Sequence, residues 1–456
     1  MEIRDVIHGS IAIEPHELPV IDSRYFQRLR HIQQLGFGEY SFPSATHNRY
    51  IHSLGAMETA TKAFDTLFGG PKGLRKKSGP RRLDLFGQAP KAHRRFRAVL
   101  RLAALLHDCG HGPLSHTSEI AMPPRLDLKL PEKLFPGAST DKSKATHEDY
   151  TLKLILDSGL TQILEKAGLE FGFKPLHVAS LIDPNLKVDD DFFEDSSIDG
   201  KWDFRPVLQQ LISSELDADR MDYLRRDSWY AGVTYGQFDF DWLVANLSAH
   251  RENGRVFLGL ERKALYSFED FLISRFHMFL MVYFHHKSVV FDEMLARYFA
   301  SVDSKDYQLP SDIEAYVKIH DADLYAHLAK SSNPWARRIS EKRPYRMLVE
   351  LHSGMAENSE PETNQAMIAR LKADLEKRKV DSIVTQSTGE LSKYFRKPGH
   401  PIFVHLDNLY QPSKTLRLEQ CTDLFTRYSE KRVISRIYVS PEDYEVCKNL
   451  GRSPGV

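Results

Sequence analysis

Residues 105–116 read LLHDCGHGPLSH, and this stretch decides the fold. It closes a longer run, RAVLRLAALLHD (97–108), whose apolar residues recur on one side, which predicts a helix. Gly110, Gly112 and Pro113 end that helix. His107 and Asp108 therefore sit at a helix end. Adjacent helical side chains point about 100° apart, yet at a terminus they can converge on one ion between them. An imidazole with a carboxylate suits a divalent ion such as Mn, Mg, Fe, Ni or Zn. His111 follows four residues after His107, and His116 comes after the Gly-Pro break. The plain alternative is a polar helix end satisfied by its own imidazoles.

The rest of such a site must come from other segments. His52 lies in RYIHSLG (49–55), shortly after FPSATHNR. SELDADRMDYLRRD (214–227) places Asp219, Tyr223 and Asp227 at i, i+4 and i+8, on one helical face. That strip fits a ligand-reading groove. Read alone, it also fits a solvated helix face with pairs such as Asp222 and Arg226.

Composition bounds the rest. The chain has 456 residues, with 62 Lys+Arg against 62 Asp+Glu, so it is not a chain-wide nucleic-acid or anionic-membrane binder. Hydrophobic residues at 41% and charged residues at 27% describe a globular chain, not a disordered one. Cys109, Cys421 and Cys447 are scattered and form no CxxC pair, which excludes a disulfide framework and argues against a thiolate zinc site. A reducing cytoplasmic location is expected. MEIRDVIHGS has no signal-peptide pattern. The longest apolar run, 278–284, is far below the roughly 20 residues of a membrane span, so no membrane association is expected.

Along the chain, Tyr25, Phe26, Leu29, Ile32 and Leu35 predict an amphipathic helix over 23–35, capped by Asp22 or Ser23. Residues 70–97 hold ten Lys/Arg and one acid, Asp84, and read as a solvent loop or inserted hairpin facing an anion, a subunit or only water. Residues 183–203 are an acidic surface excursion. Helices are expected over 146–182, 204–231 and 264–303, with 268–291 buried all round. Residues 353–364 read as a linker. PIFVHL (401–406) and RVISRIYV (432–439) read as strands. The fold class is mainly α: a helical core over 1–310, then a smaller α+β region over 311–456.

The order His52, His107-Asp108, Asp219 resembles the HD-domain metal-dependent phosphohydrolases. DVIHGSIAI (5–13), YFQRLRHIQQLGFGEYSFPSATHNRYIHSLG (25–55), LLHDCGHGPLSH (105–116), THE (146–148) and DADRMDYLRRD (217–227) extend the resemblance. They are similar to the deoxynucleoside triphosphate triphosphohydrolase branch, which includes the sterile-alpha-motif-and-HD-domain enzymes and bacterial relatives. The match spans roughly 1–300, and no sterile-alpha-motif domain is expected ahead of it.

The resemblance implies one divalent ion held by His52, His107, Asp108 and Asp219. It makes His111, His116 and His147 active-site histidines, with Glu119 orienting one of them. Gln34 and Arg49 would contact sugar and triphosphate, and Arg220 and Arg275 the phosphates. Tyr223, Asp227 and Tyr283 would read the deoxyribose. Asp22, Gln27 and Arg30 would form a guanine-nucleotide activator site for dGTP or GTP. The chain departs from the pattern at Arg220, where the family has a lysine, and at Phe284, where a well-known member has a glutamine. A fork in place of a point charge is not a silent exchange.

The implied reaction converts a dNTP to deoxynucleoside and tripolyphosphate by attack of metal-activated hydroxide on the α-phosphorus. The leaving 5′-oxygen needs a proton, and His116 is the expected donor. A homodimer or homotetramer is implied as well. Two other readings stand beside this one. One is an HD nucleotidase or single-strand exonuclease, with the basic 72–97 segment as a track for nucleic acid. The other is a catalytically silent nucleotide sensor.

Overall fold

The computed structural model of the protein describes residues 1–70, 83–301, 307–353, 361–392, 400–408, 410–428 and 430–450. The main helices, in chain order, are α1 (Arg49–Phe68), α2 (Pro90–Leu106), α3 (His147–Leu156), α4 (Gly159–Gly168), α5 (Pro175–Ile182), α6 (Arg205–Ile212), α7 (Ala218–Ala231), α8 (Leu265–Met278), α9 (His286–Ala300), α10 (Asp321–Lys330), α11 (Pro334–Ser340) and α12 (Pro361–Lys377). No helix among the described residues is long and apolar enough to cross a membrane.

The site rests on α1, α2 and α7, with α1 packed between the other two. Local chemistry sets where each begins. Asn48 caps α1 by accepting from the Ile51 amide at 3.2 Å. Pro90 opens α2, where its missing N–H costs nothing. Asp217 caps α7 by accepting from the Arg220 amide at 2.8 Å, which sets Asp219 in the first turn. Gly55 permits the close approach of α1 and α7, because a Cβ there would collide with the Asp222 carboxylate and the Arg226 guanidinium. Gly110 does the same for α3, since a Cβ would strike the His147 carbonyl and the Thr151 amide.

One large apolar cluster joins Phe26, Leu54, Met57, Phe64, Leu102, Leu105, Tyr150 and Leu224. Each such fully buried side chain contributes about 1.5–3 kcal/mol. Ile313, Tyr316, Ile402 and Val404 belong to the same cluster, so residues on both sides of position 310 share one core.

The strands of four or more residues are β1 (Glu2–Asp5), β2 (Gly9–Ala12), β3 (Leu247–Glu252), β4 (Arg255–Glu261), β5 (Arg346–His352), β6 (Ser382–Gly389), β7 (Phe403–Asn408), β8 (Gln411–Arg417) and β9 (Arg432–Val439). β3 and β4 form an antiparallel hairpin. β7 lies parallel to β4, with Gly259 opposite Phe403, and carries β8 on its other side. β9 is the centre of a separate antiparallel sheet between β5 and β6, and α12 packs on it. The expected strands at 401–406 and 432–439 thus form.

Several local expectations change. The 23–35 helix is one α turn (Arg24–Gln27) and a 3-10 turn (Arg28–His31). The chain then leaves the helix because Gln33 bridges to Asn48 and the Gln34 amide donates to the His47 carbonyl at 3.0 Å. Residues 90–97 are not loop but the first two turns of α2; residues 71–82 lie outside the described residues. The 204–231 helix is broken at 213–217, where Ser214 and Asp217 take the backbone bonds. The 264–303 helix is broken at Phe284–His285, after a π-helical turn, Phe279–Tyr283. It is not buried all round, since Met281 is 49% exposed. The acidic 183–203 segment is anchored by buried Phe192 and Phe193.

Candidate active site

His52 stands on α1, His107 and Asp108 directly follow α2, and Asp219 lies in the first turn of α7. Their ligand atoms converge. Asp219 Oδ1 is 3.0 Å from His52 Nε2 and 3.3 Å from His107 Nε2. Two atoms each about 2.1 Å from one metal ion, at roughly right or tetrahedral angles, stand about 3.0–3.4 Å apart. Asp108 is less centred. Its Oδ1 is 3.6 Å from His107 Nε2, and its Oδ2 is 3.7 Å from His52 Nε2 and takes an ion pair from Arg49.

The other ring nitrogens are already used. His52 Nδ1 donates to Asp222 Oδ2 at 2.9 Å, and His107 Nδ1 to the Ala104 carbonyl at 2.8 Å. Both rings therefore turn Nε2 toward one point. His52 Nε2 is buried and makes no aligned hydrogen bond, as expected of a metal ligand. The residues present fit a divalent ion. The local field also favours a cation: burial opposes charge on His52, but Asp219 and Asp222 raise its pKa to about 10. Burial opposes charge on Asp108 as well, but His107, Arg49 and His111 hold it well below the carboxylate range.

Beneath these candidate ligands lies a buried ionic network that sequence reasoning missed. Asp222 accepts from His8 Nε2 at 2.7 Å and from Arg226 Nε and Nη2 at 2.8 and 3.0 Å. Arg226 also donates to both oxygens of Asp5, at 2.7 and 3.2 Å. The pair Asp222 and Arg226, read from sequence as a solvated alternative, is fully buried. Its spacing was the signal; the Gly55 gap above it decides its environment.

A second cluster adjoins the first. The His111 ring stacks on His147 with centroids 3.8 Å apart, and His116 meets both edge-on. Glu119 Oε1 accepts from His116 Nδ1 at 3.0 Å and His147 Nδ1 at 2.6 Å. Burial pushes the Glu119 carboxyl up, but these two bonds outweigh it and hold its pKa at about 2. Burial, reinforced by Arg49, drives His111 well below the ordinary imidazole value, so its ring is neutral. His116 is largely exposed, as a group that meets a ligand must be.

The remaining expected residues line the approach. Tyr223 faces His52 edge-on at 6.5 Å and Tyr283 at 6.3 Å. Tyr283 Oη donates to Asp227 Oδ2 at 2.7 Å, and Asp227 Oδ1 accepts from His47 Nε2 at 2.7 Å. His47, another residue missed from sequence, also stacks on Tyr230 at 4.5 Å. Arg275 donates to the Leu391 carbonyl at 3.0 Å and lies over the Phe279 ring. Arg220 is held by Glu215 at 3.0 Å and Asp217 at 3.5 Å. Gln34 keeps a buried Oε1 without a partner among the described residues.

Asp22, Gln27 and Arg30 are brought together elsewhere, around a pocket of about 280 Å³ also lined by Asp5, Tyr50 and Leu54. Arg30 lies over the Tyr50 ring at 3.7 Å and donates to Gln27 Oε1 at 2.8 Å.

The family described as the HD domain matches residues 49–227, and the one described as the HD associated region matches 238–380. YwfO of Bacillus subtilis is 32% identical over 62% of this chain and 51% of its own length. The deoxynucleoside triphosphate triphosphohydrolase SAMHD1 of Homo sapiens is 28% identical over 76% of this chain and 54% of its own. The chain thus spans about half the length of these curated relatives. A hypothetical protein from Aquifex aeolicus of known crystal structure has the same fold, with TM-score 0.70 and 24% identity over 98% of this chain and 99% of that one.

Proposed function

We propose that this chain, whose residues 49–227 are an HD domain, hydrolyses deoxynucleoside triphosphates to deoxynucleosides and tripolyphosphate. HD domains are metal-dependent phosphohydrolase folds, and the finer reading concerns the substrate. The observation that carries it is the meeting of two clusters, the His52–His107–Asp219 ligand set and the His111–His116–Glu119–His147 group. SAMHD1, a deoxynucleoside triphosphate triphosphohydrolase by name, is similar to this chain over 76% of the chain's length.

His52, His107, Asp108 and Asp219 would hold one divalent ion. Bound there, it supplies a Lewis acid that polarises the α-phosphate and lowers the pKa of water. The protein's own residues do the remainder. The 5′-oxygen of a nucleoside is a poor leaving group and needs a proton as it departs. His116 Nε2 delivers it, while Glu119 fixes the ring through Nδ1. His147 shares Glu119 and limits the motion of His116. Arg49, Arg220 and Arg275 neutralise the phosphate chain, each oriented by a partner on its own side.

Tyr223 packs on the sugar face and leaves no room for a 2′-hydroxyl. Asp227 and Tyr283 bind the 3′-hydroxyl, and Gln34 reaches the sugar from the opposite segment. The Asp22–Gln27–Arg30 pocket receives a guanine nucleotide as activator: Asp22 and Gln27 pair with the base edge, and Arg30 stacks on Tyr50. Activation of this kind implies assembly of two or four copies.

A product assay tests the reading. The four dNTPs are supplied singly and together, with Mg or Mn. Tripolyphosphate from dNTPs, with much weaker turnover of ribonucleotides, is the expected result. Equal turnover of ATP and dATP overturns the substrate assignment. Rates that rise only in mixtures containing dGTP or GTP identify the activator.

A further inference from the structure

The loop that carries His116 has an unusual backbone. Leu114 and Ser115 both adopt left-handed conformations, with φ of 55° and 62°. Neither is a glycine, and Leu114 is fully buried. Two successive side-chain-bearing residues in this region persist only when their surroundings impose it. The chain immediately before His116 is therefore held, not relaxed.

What holds it comes from beyond residue 310. Asp321, the first residue of α10 and 7% exposed, accepts from the Leu114 amide through Oδ1 at 2.8 Å. Its Oδ2 accepts from the Gln33 amide, also at 2.8 Å. One carboxylate thus ties the His116 loop to the segment carrying Gln34. Neighbouring contacts act in the same direction. Tyr316 Oη donates to the Gly110 carbonyl at 2.7 Å. Arg28 donates to the His111 and Cys109 carbonyls at 2.8 and 3.2 Å and to the Ile319 carbonyl at 3.1 Å. Ser115 Oγ in turn accepts from Arg49, the partner of Asp108.

We propose that Asp321 is a positioning residue for His116: by pinning the Leu114 and Gln33 amides it sets the proton-donating imidazole in register with the metal ligands. Asp321 touches no substrate and acts through the backbone of the loop. The segment after residue 310, outside the HD-domain match, thereby completes the active site. The inference rests on the proposed role of His116, and its test separates the two.

The test uses the full chain with Asp321→Ala, Asp321→Asn, His116→Ala and the double variant His116→Ala/Asp321→Ala. Hydrogen exchange on peptides covering 109–118 and 30–36 reads the tie without any substrate. Both peptides are expected to lose protection in Asp321→Ala. With dATP, kcat is expected to fall about 100-fold, the cost of a misplaced catalytic group, with KM and bound metal nearly unchanged. Asp321→Asn falls less, because its remaining oxygen still accepts one amide. The double variant is expected to be no slower than His116→Ala alone, since residues acting as a unit are not additive.

Unchanged protection in Asp321→Ala overturns the proposal whatever the substrate. So does a loss that adds in full to that of His116→Ala, which is the mark of a general structural role. If protection falls but His116→Ala keeps the wild-type rate, the reading of His116 is what fails, and the catalytic half of the proposal goes with it.

Discussion

Replacing Asp222 should release the metal before it unfolds the protein. The Asp222 side chain is fully buried and accepts from His52 Nδ1, His8 Nε2 and two nitrogens of Arg226. Burial opposes its charge, but Arg226, His52 and His8 hold the carboxyl well below its usual range. It does two separable things. It fixes the ring of His52 so that Nε2 faces the ligand point, and it neutralises half of the Arg226 guanidinium. Loss of the first function weakens metal binding by about 10–100-fold, which is about 1.4–2.7 kcal/mol. Loss of the second leaves a buried cation with Asp5 as its remaining anion among the described residues. Breaking a buried pair in this way costs about 3–5 kcal/mol of stability.

Asp222→Asn keeps the shape and the oxygen but sets an NH2 against donors on His or Arg226, so it tests charge and geometry without opening a cavity. The assay is retained Mn after dialysis against graded chelator, followed by paramagnetic resonance and metal analysis, with thermal melts of metal-free protein in parallel. The chelator midpoint should shift by one to two decades, and the metal-free Tm should fall by several degrees. A metal affinity within a factor of two of wild type, in a protein whose metal-free Tm has fallen, would refute the claim that Asp222 orients His52. The carboxylate would then serve Arg226 alone.

Three further outcomes follow from the same geometry. Gly55→Ala should cost about 1–3 kcal/mol by driving a methyl into Asp222 and Arg226; a calorimetric Tm equal to wild type would show that α1 and α7 can separate freely. Glu119→Gln should lower stability at pH 7 but not at pH 2: the folded pKa of about 2 lies below the ordinary 4.5, so the Glu119 contribution is full above pH 4.5 and is lost as pH falls through about 2. Melts at pH 7, 4.5, 3 and 2 should show the gap between wild type and variant closing, and a constant gap refutes it. Tyr223→Ala should raise turnover of ATP relative to dATP by about tenfold or more, measured as tripolyphosphate release; an unchanged ratio removes Tyr223 from sugar selection.

The parts of the site legible in the sequence are those that sit close together in it. His107, Asp108, His111 and His116 fall within ten residues, and their glycines announce the end of a helix. His52 and Asp219 carry no such local signal; the resemblance to HD phosphohydrolases supplied them. Asp222 illustrates the limit. Its spacing to Arg226 reads the same whether the helix face meets water or protein, and only the Gly55 gap on another helix decides between them. The 23–35 segment fails differently. Its apolar spacing is helical, but Gln33 and Gln34 gain backbone partners at Asn48 and His47 that outweigh local propensity. Arg28, on what reads as a polar face, is buried for its carbonyl bonds to the metal-site loop.

The zero net charge conceals how the interior handles its ions. Arg226 is matched by Asp5 and Asp222, Arg101 by Glu17, Arg220 by Glu215 and Asp217, and Arg49 by Asp108. Buried charges must be compensated in place, so a balanced total is what such an interior requires. The consequence for ligand binding is specific. Arg49 and Arg220 do not stand as free cations; each has an acid that fixes the direction of its fork. A triphosphate bound as proposed would meet preoriented donors and lose little to their reorganisation. Removing Glu215, the acid beside Arg220, should therefore weaken catalysis more than the gain in positive charge would strengthen binding.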